Sequence, residues 1–237
     1  MQIKSITINE TINILKKKEI HVAGDKSLSI RFVLMSSLCK GKCTATNILV
    51  SEDVLSIVKS IKKLGVKINL KGNNCEVFGK GLFGYNYKKD LVLDAGNSGT
   101  TARLLCATLI DSNHKIKIVG DNSLQKRDMS RIIKPLEMFG ASFRHSNGKL
   151  PLFIKGSKHL RAIKFTENLG SAQRKSAVMI AALKTPGVTK MKCLPSRNHT
   201  ELIFKNVLKI PIKIKKNKNY DFIEVKGMKE FKPFKYK

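Results

Sequence analysis

The sequence contains no tryptophan and only four tyrosines, so the usual aromatic platforms for stacking bases are scarce. No apolar run approaches the roughly 18 residues that a membrane-spanning helix needs, and the first residues lack a signal-peptide hydrophobic segment. Both absences lead us to expect a cytoplasmic chain with no membrane partner. The five cysteines, Cys39, Cys43, Cys75, Cys106 and Cys193, form an odd set without a CxxC pair. That suits free thiols in a reducing compartment rather than a disulfide framework. The five histidines show no metal-ligand spacing, and neither a metal nor a cofactor is expected.

Negative charge is also in short supply. Against 46 Lys+Arg the chain has 17 Asp+Glu, a formal charge of +29. Three readings compete: nucleic-acid binding, a cationic cleft for anionic small molecules, and compositional drift on a solvated surface. The lysines are scattered, apart from Lys16-Lys17-Lys18 and the 213–218 region. Drift combined with an anionic substrate therefore ranks above nucleic acid. At 237 residues the chain is long enough for one large or two small domains with a substantial core.

The most informative stretch is LVLDAGNSGTTARLL, residues 91–105. Leu91, Val92 and Leu93 read as a buried strand. Asp94–Thr101 reads as a tight turn of small residues, and Leu104–Ile110 as a helix apolar on nearly every side. A Gly/Ser/Thr turn feeding a helix start offers unpaired N–H groups, hydroxyls and the positive dipole end together. Arg103 adds a cation one turn on. A single turn of this kind is equally well explained as a capped helix that binds nothing.

The pattern occurs three times. The turn glycines Gly24, Gly96 and Gly170 are 72 and 74 residues apart, and the closing glycines Gly81, Gly156 and Gly227 are 75 and 71 apart. The first unit, 21–81, opens with a short strand at His21–Ala23 and the turn Gly24-Asp25-Lys26-Ser27. A buried helix, a strand at 43–49, an amphipathic helix capped by Ser51 and stopped by Gly65, and two alternating strands follow. The second unit, 91–156, repeats this order, with its second helix near Met129–Phe139 and a hairpin turning at Asn147-Gly148. The third, 163–227, has its turn at Gly170–Gln173 and a second helix over Thr200–Leu208 capped by Ser196. Three βαβαββ units of near-equal length predict an α/β domain with threefold pseudo-symmetry, its apolar helices inside and its sheets outside. Three anion-receptive turns would then meet at one end. Lys26, Arg31, Arg103 and Arg127 supply cations there, and Ser27, Ser171, Gln173 and Ser196 supply neutral hydrogen-bonding groups. Such a set suits a polyanionic, hydroxylated small molecule.

Five ordered motifs carry a resemblance: GDKSLSIR (24–31), LDAGNSGTTARLL (93–105), SLQKRDM (123–129), SAQRKSA (171–177) and PSRNHTE (195–201). Over essentially its whole length the chain resembles the 5-enolpyruvylshikimate-3-phosphate synthase family. The resemblance implies an inverse α/β barrel and transfer of the enolpyruvyl group of phosphoenolpyruvate to the 5-hydroxyl of shikimate 3-phosphate, in aromatic amino-acid biosynthesis. It implies that Lys26 contacts both substrates and that Ser27 and Arg31 hold shikimate 3-phosphate. Ser171 and Ser196 would bind its phosphate, and Gln173 would lie between the ligands. Phosphoenolpyruvate would be bound by the turn carrying Asn97 and Gly99 and by Arg127, with Thr100 and Arg103 in support. The related UDP-N-acetylglucosamine enolpyruvyl transferases usually have Lys-Asn in the first turn and a reactive cysteine loop. Here the turn is Lys26-Ser27 and no such loop is found.

Three positions depart from the family pattern: Ile30 in place of the common His, Asp128 in place of the usual Pro after Arg127, and Arg174 in place of an apolar residue. Length is a larger departure. Family members have two such domains, and the resemblance covers the first. Residues 1–20 resemble a segment that normally belongs with the second domain, and 228–237 a hinge segment leading to it. The family's acid and base groups lie in that second domain, and Asp94, Asp111 and Asp121 form no obvious pair. The expectation is a substrate-binding half with little turnover alone, completed by a C-terminal domain that a separate gene could encode. A basic nucleic-acid-binding or scaffold protein on the same fold is the competing reading.

Overall fold

A computed structural model describes residues 22–236. Residues 1–20, read above as a segment that belongs with a second domain, and His21 lie outside the described residues. Three buried helices form the centre: α1 (Lys26–Leu38), α3 (Gly99–Thr108) and α6 (Ala172–Leu183). Each starts on a side-chain cap. Asp25 accepts from Leu28 N, Ser98 from Thr101 N and Ser171 from Arg174 N, satisfying donors that the first helical turn leaves free. From Ser29 to Leu38 every residue of α1 is buried, the polar Ser29, Arg31, Ser36 and Ser37 included. The helix anticipated at Leu104–Ile110 begins earlier, inside the turn itself, because the Ser98 cap lets Gly99 and Thr100 adopt helical geometry.

Around the helices stand three four-stranded sheets with one repeated order. The second unit shows it plainly. Strand β4 (Val92–Asp94) lies parallel to β5 (Ile116–Val119); β7 (Lys149–Lys155) is antiparallel to β5; and β6 (Ser142–Ser146) pairs with β7 at the edge. In the third unit β8 (Lys164–Glu167), β9 (Val188–Cys193), β11 (Asp221–Lys226) and β10 (Ile212–Lys216) take the same places. In the first, β1 (Lys40–Ala45), β3 (Asn74–Lys80) and β2 (Lys67–Lys71) do so. The fourth place beside β1 is filled by β12 (Lys235–Tyr236), parallel to it. Val22 and Ala23 have no regular structure, so they do not open unit one as a strand. Rings fix β12 in place: Phe32 of α1 meets Phe234 edge-on and stacks on Tyr236, with centroids 5.8 and 6.5 Å apart.

The second helices bear out the amphipathic pattern. Helix α2 (Glu52–Lys63) has acids in its first turn and lysines in its last, the arrangement its dipole favours, and Gly65 beyond it has φ +86°. Ser51 occupies its N-cap without a side-chain hydrogen bond. Helix α5 (Ser130–Met138) carries Pro135 in its second turn and follows a short helix α4 (Asn122–Gln125), capped by Asp121, that the sequence pattern did not suggest. The expected helix over Thr200–Leu208 is instead α7 (His199–Leu202) running into a π-helical turn, Ile203–Val207. Ser196 does not cap it; Asn198 holds that position, without a side-chain bond.

Close backbone approach explains the closing glycines. A side chain at Gly156 or Gly227 would strike backbone at the C-terminal end of α3 or α6; in unit one the residue so placed is Gly79, against Ser36 and Cys39, rather than Gly81. All five cysteines are free and buried. Among the described residues no helix is long and apolar enough to cross a membrane, and no group of metal-ligating side chains gathers.

The three central helices run the same way. At their C-terminal ends, Ser37 Oγ of α1 lies 2.6 Å from Tyr85 Oη. Lys184, just past α6, donates to the Thr108 carbonyl of α3 at 2.7 Å and to Asp111 at 2.6 Å. Tyr87 Oη also donates to Asp111 at 2.7 Å. The N-terminal ends share the opposite pole.

Candidate active site

At that opposite pole is a hollow of about 270 Å³. Its walls come from all three units: Ser27 and Arg31 of α1, Thr100 of α3, Gly170–Gln173 at the start of α6, and Ser196, Arg197 and His199 before and within α7. Among the described residues no carboxylate lines it. Tight capped turns bring this about, because each cap aims one helix start, with its free N–H groups, at the same space.

Arg31 is the most constrained cation. It is 4% exposed, and its guanidinium donates to Thr200 Oγ1 at 2.9 Å, Ser176 Oγ at 3.0 Å and the Ser27 carbonyl at 3.1 Å. All three partners are neutral. Burial is the largest influence on its pKa and pulls it below the usual arginine value, yet an arginine stays protonated. A cation whose direct partners among the described residues are all neutral, with Glu201 and Asp25 acting on it only at a distance, is therefore held at the wall of the hollow. His199 beside it is also pulled down, by burial first and then by Arg31. Ser196 Oγ is buried with no hydrogen-bond partner among the described residues, an unused donor at the rim of the cavity.

The second turn joins this hollow through Gln173. Its amide nitrogen donates to Thr100 Oγ1 at 2.8 Å, and its carbonyl accepts from Arg103 at 2.6 Å. Arg103 also donates to the Asp128 carbonyl at 3.0 Å. Burial, and then Arg127 and Arg131, lower the Arg103 pKa. A Cβ on Gly99 would lie 2.8 Å from Arg103 Nη1 and 3.4 Å from Arg127 Nη1, so glycine leaves two guanidiniums facing one bare backbone. Arg127 donates to Asn97 Oδ1 at 3.0 Å, and Asn97 donates in turn to Asp121 at 2.6 Å. Lys26 sits apart from the lining, 3.4 Å from Asp53. The backbone carbonyl of Asp53 accepts from Thr101 Oγ1 at 3.3 Å.

The expected residues thus divide into two adjoining groups. Ser27, Arg31, Thr100, Ser171, Gln173 and Ser196 line one cavity. Asn97, Gly99, Arg103 and Arg127 adjoin it through Gln173, and Lys26 is linked through Asp53 and Thr101. Asp128 does not cancel Arg127. Its carboxylate accepts from Ser130 N at 2.8 Å and lies 3.6 Å from Arg131, and those contacts hold its pKa below the usual carboxylate range. Arg174 lies over the Phe165 ring, 4.8 Å from the centroid, and 3.7 Å from Glu167. Ile30 is fully buried.

Arg197, His199 and the pair Thr200–Ser176, bonded at 2.8 Å, were not singled out from the sequence. Arg197, His199 and Thr200 lie within PSRNHTE and Ser176 within SAQRKSA, so the motifs carry all four. Asp94 accepts from Gly96 N, Asp121 from Leu124 N, and Asp111 is bound to Lys184. Each of these carboxylates is occupied in holding a turn or a cation.

A model of the EPSP synthase family (3-phosphoshikimate 1-carboxyvinyltransferase) matches residues 11–237. The 3-phosphoshikimate 1-carboxyvinyltransferase of Thermoanaerobacter sp. (strain X514) is 40% identical over 220 residues, 92% of this chain and 51% of that protein. That of Ruthia magnifica subsp. Calyptogena magnifica is 43% identical over 202 residues, 84% of this chain and 45% of that one. A solved EPSP synthase from Acinetobacter baumannii superimposes with a TM-score of 0.82 at 31% identity, covering 92% of this chain and 48% of that chain. The chain spans about half the length of the curated relatives it matches.

Proposed function

The chain belongs to the EPSP synthase family, and on that premise we propose that it forms the shikimate 3-phosphate-binding half of an enolpyruvyl transferase. The reaction is transfer of the enolpyruvyl group of phosphoenolpyruvate to the 5-hydroxyl of shikimate 3-phosphate. The observation that carries this reading is the hollow itself: buried Arg31 without a carboxylate partner, beside the unpaired hydroxyl of Ser196. A phosphorylated, hydroxylated ring supplies what each lacks. In this reading Ser171 and Ser196 bind the phosphate, Ser27 and Arg31 hold the ring and its phosphate, and Gln173 separates the two substrates. The Asn97–Gly99 turn and Arg127 take phosphoenolpyruvate, supported by Thr100 and Arg103, and Lys26 reaches both ligands from the rim.

Addition and elimination of the enolpyruvyl group need an acid for the methylene carbon and a base for the attacking hydroxyl. Among the described residues no carboxylate lines the hollow. We assign those proton transfers to the half of the family's length outside this sequence, whether it is supplied in the same polypeptide or by a second chain. Residues 21–227 are then the substrate-binding domain, with 1–20 as a segment that belongs with the second domain and 228–237 as a hinge segment; β12 lies in that hinge segment and also completes the sheet of unit one. Calorimetric titration with shikimate 3-phosphate tests the reading. Saturable binding that falls about 100-fold in Arg31→Met, the loss of more than one charge-assisted contact, is the expected result. Binding indifferent to Arg31 overturns the site, and phosphate release from both substrates by this chain alone overturns the division of labour.

A further inference from the structure

The faces of the three sheets turned away from the buried helices carry a feature that substrate binding does not use. In each sheet one phenylalanine stands between two cross-strand cations. Phe78 of β3 is opposite Lys42 of β1 and Lys67 of β2. Phe153 of β7 is opposite Lys117 of β5 and Arg144 of β6. Phe222 of β11 is opposite Lys192 of β9 and Lys215 of β10. The three rings are 75 and 69 residues apart, so the arrangement repeats with the units. It is invisible as a run of charge, because register rather than sequence adjacency assembles it.

These plates are poorly compensated. Lys42 and Lys67 place their ammoniums 5.7 and 5.2 Å from the Phe78 centroid, and Lys117 and Lys115 lie 5.7 and 5.9 Å from that of Phe153. Glu76 pairs with Lys42 of the first plate, and Glu224 pairs with Lys190 beside the third. Strands β5, β6 and β7 of the second unit contain no Asp or Glu at all. A hollow of about 280 Å³ lies beside Phe153, lined also by Arg144, His145 and Pro151. Like charges on adjacent strands repel, and at an exposed ring the cation–π contacts offset this only weakly. A polyanion offsets it further. A ring with a cation one strand away on either side, roughly 4.8 Å across the sheet, matches an alternation of flat base and phosphate. Bases in a duplex are already stacked, whereas those of a single strand are free to lie on a phenyl ring.

We propose that these three plates, that of the second unit foremost, bind single-stranded nucleic acid without sequence preference. Fluorescence anisotropy on the full chain tests this, with labelled hexathymidylate as probe and hexaglutamate as a polyanion without bases. The expected result is saturable hexathymidylate binding at about 100 mM salt, with up to three equivalents per chain and a loss of affinity as salt rises. The variant Phe78→Leu/Phe153→Leu/Phe222→Leu keeps apolar volume and removes the rings. It should bind hexathymidylate about tenfold more weakly and hexaglutamate unchanged. Lys117→Gln/Arg144→Gln, on the exposed face, should lose one equivalent of hexathymidylate. Equal affinity for the two probes, or indifference to the loss of the rings, reduces the plates to bulk charge and overturns the proposal. Displacement by shikimate 3-phosphate also overturns it, by placing the oligonucleotide in the substrate mouth.

Discussion

Arg31 and Lys184 are both buried cations, 4% and 2% exposed, at opposite poles of the same helix bundle, and they are treated in opposite ways. Lys184 meets a carboxylate, a carbonyl and a phenol, with Asp111 at 2.6 Å, beneath the rings of Tyr85 and Phe83 at 5.3 and 5.8 Å. Its charge is answered from within. Arg31 meets only hydroxyls and a carbonyl. Neutral partners orient a guanidinium without cancelling it. One pole therefore answers its charge from within the fold, and the other holds a cation against neutral groups alone.

Lys184→Ala is expected to break the closed pole and cost about 3–5 kcal/mol, since Asp111 is left without its cation in a dry site. Urea unfolding measures this, and a loss below about 1 kcal/mol would make the two poles alike. Arg31→Met should do the reverse. Replacing a buried cation that touches only neutral groups by an apolar side chain of similar length should change stability by no more than about 1 kcal/mol, and should abolish the rise in Tm that the proposed function expects of shikimate 3-phosphate with the unmutated chain. At a ligand concentration of 100 times Kd that rise corresponds to about 2.7 kcal/mol.

Acidity separates the poles again. Burial is the main influence on Lys184 and lowers its pKa from 10.5, with Asp111 acting against the shift. Between the folded-state value and 10.5 the unfolded chain binds more protons than the folded one, so this group's contribution to stability rises with pH through that window. Lys184→Met should flatten that part of the stability–pH curve; an unchanged slope would remove Lys184 as its source. Smallest is Ser196→Ala. The unpaired hydroxyl contributes nothing to the empty fold, so stability should hold or rise slightly, by less than about 1 kcal/mol, while shikimate 3-phosphate binds several-fold more weakly. A stability loss beyond that would show that the hydroxyl already has a partner.

The open pole was readable in the chain because its parts are local. Asp25, Ser98 and Ser171 cap helices within three residues of themselves, and capping is written in short spacing. The threefold repeat was readable too, since glycine spacing survives where side chains vary. The closed pole was not. Lys184 meets Asp111 from 73 residues away, and a lysine in so basic a sequence carries no mark of being buried. Register hid the sheet plates in the same way. The misplaced cap at Ser196 and the π-helical turn after α7 share one cause: local propensity favours a plain helix there, and packing of Phe204 and Ile203 into the core overrides it. The slot beside β1 was misread because its occupant comes from residues 235–236, far from the unit it completes.

That borrowed strand sets an order on assembly. Units two and three carry all four of their strands in continuous stretches, so each can close as soon as it leaves the ribosome. Unit one is made before units two and three, yet among the described residues the partner of its β1 edge comes only with Lys235 and Tyr236. The earliest of the three units is thus the last of them to gain its fourth strand, and until then that edge is where mispairing with another chain would begin.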